Sequence, residues 1–125
     1  MKQRDAALRV KRFEVAEKAR KVASLESMII DFEHMAADLA RQIAAEEERT
    51  GIKDPAHFAY STFAKAAGLR RSNLLTSGAD LRVKLDAARR EHEDVLTDLR
   101  KLEPTEIRDT DRQLRKVDRS GAMIG

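Results

Sequence analysis

Apolar residues recur every seven positions through the first half of the chain, at Leu8, Val15, Val22, Ile29, Ala36 and Ile43. Leu25, Phe32 and Leu39 follow three of these by three residues. This alternation of three and four is the a/d seam of a coiled coil. Lys11 and Lys18 hold the partner positions in the first two heptads, so the seam weakens toward the amino end. Neither Gly nor Pro occurs before Gly51, and the spacing predicts one helix over about 2–49, roughly 70 Å long at 1.5 Å per residue. Thr50-Gly51-Ile52-Lys53-Asp54-Pro55 then offers a Gly C-cap, an Asp N-cap and a Pro at the first helical position, predicting a turn at about 50–55. The same spacing returns at Leu81, Leu85, Ala88, His92, Val95, Leu99 and Leu102. Run backward, it passes Gly78, Leu74, Arg71, Ala67, Ala64 and Tyr60, faltering at Arg71 and Gly78, with an irregularity expected near Ser77-Gly78. The second helix is therefore expected over about 56–103, with Pro104 breaking or kinking it. A short or frayed segment, 104–125, follows, in which Ile107, Leu114 and Val117 share a side.

A short connection between two long helices makes them antiparallel neighbours. The expected fold is all-α, a single domain over 1–125 forming a long antiparallel two-helix coiled-coil hairpin. Folding about Ile52 pairs positions whose numbers add to about 104, setting Ile43 against Tyr60, Ile29 against Leu74 and Leu8 against Val95. Charge supports this topology. Residues 1–23 hold eight basic and three acidic groups, 31–54 three and seven, 65–90 seven and two, and 91–125 seven and nine. Folding lays acidic 31–54 beside basic 65–90, and basic 1–23 beside the mildly acidic last block. Opposite signs across flanking positions select partner and orientation in coiled coils. A parallel dimer would stack each block on its own sign.

Composition narrows the function classes. Charged residues make up 38% and aromatic residues 4%, against about a quarter charged in ordinary domains, so the apolar material suffices for a narrow seam rather than a thick core. The absence of cysteine excludes disulfides, thiolate zinc sites and thiol nucleophiles. The charged start, Met1-Lys2-Gln3-Arg4-Asp5, leads into no apolar h-region, and no run approaches the roughly 20 apolar residues of a membrane span. Cytoplasmic residence is the expectation. His34 falls on an outer face, His57 near the turn and His92 in the seam opposite about Arg12, too far apart to share a metal. Glu46-Glu47-Glu48 point about 100° apart on a helix and do not converge on a metal or a proton. No phosphate loop or nucleophile elbow occurs. No catalytic, cofactor-binding or metal-ligating residue is expected.

Two binding readings remain. Arg70-Arg71 and Arg89-Arg90 are basic pairs, and a pI near 9.4 attracts polyanions. Yet Asp80, Asp86, Glu91 and Glu93 interleave with them and no aromatic platform is present, so nucleic-acid binding is the weaker alternative. Phe13 and Ile30 on the first helix, with Leu69, Leu75, Val83 and Leu96 on the second, point away from the seam. Leu69 with Val83, and Leu75 with Leu96, each stand whole heptads apart. Such stripes on a helix pair with no second layer are candidate docking faces for partner helices, or for self-association as a generic coiled-coil scaffold.

The stretches Leu8-Arg9-Val10-Lys11-Arg12-Phe13-Glu14-Val15, Ile30-Asp31-Phe32-Glu33-His34-Met35-Ala36-Ala37-Asp38-Leu39 and Asp54-Pro55-Ala56-His57-Phe58-Ala59-Tyr60 resemble the alphaproteobacterial form of the flagellar export protein FliJ family, over about residues 2–103. The resemblance implies a cytosolic accessory protein of the flagellar type III export apparatus, at the inner membrane of the flagellar base. It implies an antiparallel coiled coil similar to the stalk subunit of rotary ATPases. The partners it implies are the export ATPase, the membrane export gate and export chaperones. Exposure and charge then suggest Lys11, Arg12 and Phe13, with the carboxyl-terminal segment, for the ATPase. Phe58, Tyr60, Phe63, Leu69, Arg70 and Arg71 are the candidates for the gate, with Val83 on the same outer stripe as Leu69.

Overall fold

Two helices pack against each other as an antiparallel hairpin, α1 over Lys2–Thr50 and α2 over Thr62–Ile124, with no strand among the described residues. The structure, a computed structural model, describes residues 2–124, with side chains over 2–103. The seam expected from the sequence is the buried face. On α1, Leu8, Ile29, Ala36 and Leu39 are buried, and Val15, Val22, Leu25, Phe32 and Ile43 are half-buried. On α2, Ala64, Ala67, Leu81, Leu85, Ala88 and Leu99 are buried, with Leu74, Gly78, His92, Val95 and Leu102 half-buried. Arg71 alone among the expected seam positions of α2 is exposed.

The chain divides into two compact units, Lys21–Ala88, which contains the loop, and Met1–Arg20 with Arg89–Gly125. In the loop-bearing unit, Ile29, Leu81 and Leu85 form a buried cluster against which Val22, Leu25 and Phe32 pack. Glu33 of α1 and Arg82 of α2 form an ion pair on the rim of that cluster. In the other unit Leu8 is the most enclosed large side chain, at 2% exposure. Lys11 bridges to Asp98 at 3.5 Å, Lys18 to Glu91 at 3.0 Å and Arg12 to Glu103 at 3.8 Å. Acid thus faces base across both units, as the block pattern requires. Each pair is partly solvated, so these contacts select a register more than they stabilise the fold.

The connection differs from the expected turn. It spans Gly51–Ser61, and α2 begins at Thr62 rather than near residue 56. Asp54 does cap an amide, accepting from the Ala56 N–H at 2.9 Å, but the result is a local turn. The helix N-cap is Ser61, whose Oγ accepts from the Ala64 N–H at 3.2 Å. With the added loop residues the register moves by about one heptad: Ile29 clusters with Leu81 and Leu85 instead of sitting level with Leu74. Tyr60 lies in the loop and not opposite Ile43. Arg12 meets Glu103 rather than the level of His92, so the expected Leu8–Val95 alignment shifts likewise.

α2 also outruns the expected end at residue 103. It passes Gly78 without interruption, and it continues through Pro104, whose missing amide leaves the Arg100 carbonyl without its helical donor. The side chains expected to share a face there, Ile107, Leu114 and Val117, lie outside the described residues.

Candidate docking surfaces

The loop is built by a closed set of hydrogen bonds. Gly51, in the left-handed region at φ 75°, ends α1 and donates its amide to the Glu47 carbonyl at 2.9 Å. The Ile52 amide donates to Thr50 Oγ1 at 3.3 Å. The His57 amide donates to the Asp54 carbonyl at 3.0 Å, the Ala59 amide to His57 Nδ1 at 3.0 Å, and the Tyr60 amide to the His57 carbonyl at 3.0 Å. Two side chains then tie the loop to α1. The Tyr60 hydroxyl donates to Glu47 Oε2 at 2.8 Å, and the Ser61 hydroxyl to Glu46 Oε1 at 3.0 Å.

Two of the three consecutive glutamates are thereby committed to different partners, Glu46 to Arg49 and Ser61 and Glu47 to Tyr60, while Glu48 stays exposed with Lys53 4.0 Å away. The hydrogen bond from Arg49, opposed by partial desolvation and reinforced by Ser61, holds the Glu46 carboxyl below its usual range. The bond to Glu47 pushes the Tyr60 phenol above its ordinary 10.0, with desolvation and the Glu47 charge acting the same way.

The residues singled out from the sequence fall into two groups. Phe13, Phe58, Phe63, Leu69 and Val83 are exposed apolar side chains, as are Ile30 and Leu75, and Arg12, Arg70 and Arg71 are exposed as well. Lys11 and Tyr60 are half-buried and engaged within the hairpin, Lys11 with Glu14 and Asp98 and Tyr60 with Glu47. The hydrogen bond from Lys11 to Glu14 raises its pKa against partial desolvation, and the Glu14 and Asp98 charges act the same way. Leu96, expected to point outward with Leu75, is half-buried. Exposed Val10, Met28 and Met35 escaped the sequence reading. The signal was there: Val10 stands three residues before Phe13, and the two methionines are seven apart, each one position before a seam residue.

Of these side chains, Leu75, Arg71 and Leu69 border clefts within the loop-bearing unit. Leu75 stands between two clefts. One, of about 110 Å³, is lined by Ile29, Phe32, Leu74, Gly78 and Ala79 and rimmed by the Glu33–Arg82 pair. The second, of about 220 Å³, is floored by Ala36, Ala37 and Ala40 with Arg71 at its edge. Small side chains on one wall of each, Gly78 and Ala79 of α2 in the first and Ala36, Ala37 and Ala40 of α1 in the second, let another backbone approach closely, which suits helix-in-groove recognition. On the outer side of α2, Thr62, Lys65, Ala66 and Leu69 border a shallower depression.

Among the described residues, no group of three or more His, Cys, Asp or Glu is placed to hold a metal ion. No helix there is long and apolar enough to cross a membrane. No family model matches this chain, and neither a curated protein nor a solved structure does.

Proposed function

We propose that this chain is a non-enzymatic accessory protein of a bacterial flagellar type III export apparatus, a stalk or adaptor linking the export ATPase to the membrane export gate and escorting export chaperones. The observation that carries the binding half of this reading is the apolar groove around Leu75, set in a hairpin whose seam is already satisfied internally. A side chain such as Leu75, left half in water between two clefts lined in part by alanine and glycine, gains from a partner helix what its own hairpin does not supply. The flagellar half rests on the resemblance carried by residues 8–15, 30–39 and 54–60.

In this reading the groove, with Leu69, Arg70 and Arg71, takes the gate. Val10 and Phe13, beside Arg12 near the start of α1, take the ATPase, whose rotary-stalk analogy calls for an exposed helical end. Lys11 and Tyr60 act by holding the hairpin in register. The test is binding of the full chain to purified export ATPase and to the cytosolic domain of the gate. Leu75→Ser should weaken gate binding about tenfold, as expected for losing the burial of half a leucine, on the order of 1–2 kcal/mol. Phe13→Ser should weaken ATPase binding and leave the gate untouched. Equal binding by wild type and both variants, or none by wild type, defeats the proposal.

A further inference from the structure

The two clefts beside Leu75 repeat one another at an interval of one heptad. On α1 the first is lined by Ile29 and Phe32, the second by Ala36, Ala37 and Ala40. On α2 the first reaches Gly78 and Arg82 and the second Arg71, with Leu75 and Glu33 common to both. Seven residues span about 10 Å along a helix. An apolar side chain between two holes that far apart is the arrangement of coiled-coil packing, in which a knob enters the space among four residues of a facing helix. Leu75, 45% exposed, is such a knob, and the clefts would receive partner residues seven apart. Both clefts are open to solvent, so a small ligand would stay largely wet in either, whereas one helix fills the pair.

Charge adds a second requirement. The charged residues lining the clefts are Glu33, Arg71 and Arg82. Glu33 and Arg82 pair with each other, which leaves the rim of the first cleft neutral. Arg71, at the edge of the second, has no ion pair or hydrogen bond with any described residue. Carboxylates on the facing stretch of α1 are engaged elsewhere, Asp38 with Arg41 and Glu46 with Arg49. A helix lying in the groove would set its flank against this guanidinium and take it partly out of water. An apolar or basic flank would leave the cation unpaired there, and a carboxylate would pair with it. Opposite charge at flanking positions is also what selects partners in coiled coils.

We propose, building on the assignment of this groove to the gate, that its occupant is one amphipathic α-helix of that partner. Its apolar residues, seven apart, enter the two clefts, and an acidic residue beside the one in the second cleft pairs with Arg71. Leu75 fits between the two anchors. The test is titration calorimetry of the full chain with the purified cytosolic domain of the gate. Arg71→Glu should weaken binding at least about tenfold, and Arg71→Gln about threefold. Lys84→Gln removes the same charge half a turn round α2 from Leu75 and should bind as wild type. Ala37→Trp, which fills the second cleft from α1, should weaken binding as Leu75→Ser does. Raising salt from about 0.05 M to about 0.5 M should weaken wild type more than Arg71→Gln. All four positions are exposed, so circular dichroism should show unchanged helicity. Arg71→Glu binding as tightly as wild type overturns the acidic helix, and if Leu75→Ser is weakened in the same series the export reading stands without it. A wild-type chain that binds no gate domain defeats both. A wild-type chain that sediments as a dimer, dissociated by Leu75→Ser, places a second copy in the groove and overturns the proposal as well.

Discussion

Gly78 sits at a seam position of α2, where a β-carbon would meet nothing within 4 Å. Glycine inside a helix costs about 1 kcal/mol relative to alanine through its lost backbone freedom. Gly78→Ala should therefore raise the urea unfolding free energy by about that amount, and an unchanged or lower value would show that the space is not free. Tyr60 is the chain's one tyrosine, so its ionisation can be followed by absorbance without interference. Its phenol is raised by donation to Glu47, so the bond contributes below the ordinary value of 10.0 and is lost as pH rises through the higher folded value. The titration midpoint should lie above that of a free tyrosine, and Glu47→Ala should bring it back. Glu46 behaves in the opposite sense. Its lowered pKa means the Arg49 and Ser61 contacts contribute above 4.5 and fade as pH falls below it.

At the scale of elements, the boundary between loop and α2 is the most informative. The Asp54-Pro55 pair reads as a helix start because aspartate at an N-cap followed by proline satisfies every local rule. The fold uses the aspartate for a turn and lets Ser61 open the helix, a choice settled by Tyr60 and Ser61 reaching Glu47 and Glu46 thirteen and fifteen residues back. Those are tertiary bonds, invisible to a local rule. Ser61→Ala removes both a cap and a tie to α1 and should destabilise by about 1–2 kcal/mol in thermal or urea unfolding. Leu85→Ala, in the buried cluster, should cost about 2–4 kcal/mol, while Val83→Ala two residues away should change stability by less than about 0.5 kcal/mol. The inward and outward faces were legible because the period distinguishes them. The contacts of Lys11 with Asp98 and of Tyr60 with Glu47 were not legible, because they depend on the register.

Among the described side chains, both units turn their apolar seam inward within one chain. The unfolding midpoint should accordingly be independent of protein concentration. A midpoint that climbs with concentration would favour the self-associating scaffold. The hairpin topology could be read from the sequence because charge blocks and seam agree on it. Its docking faces could be read only in part. Leu75 and Leu69 stand out from the heptad pattern, but the clefts beside Leu75 exist because two helices bring alanines and a glycine to one place.

Two rulers with the same graduation fit together at any whole mark, and a seven-residue repeat on both helices is such a pair. Sliding α2 by one repeat, about 10 Å at 1.5 Å per residue, would again lay apolar upon apolar. What refuses the neighbouring mark is the flanking charge, since Glu33 would then face Leu75 instead of Arg82, and the bonded loop, which holds six residues out of the helix that the slid arrangement would need. Rewriting the loop as good helix would therefore shift the alignment of two otherwise unaltered strings of residues. Length in the connector, rather than any residue in the seam, sets the zero of the scale.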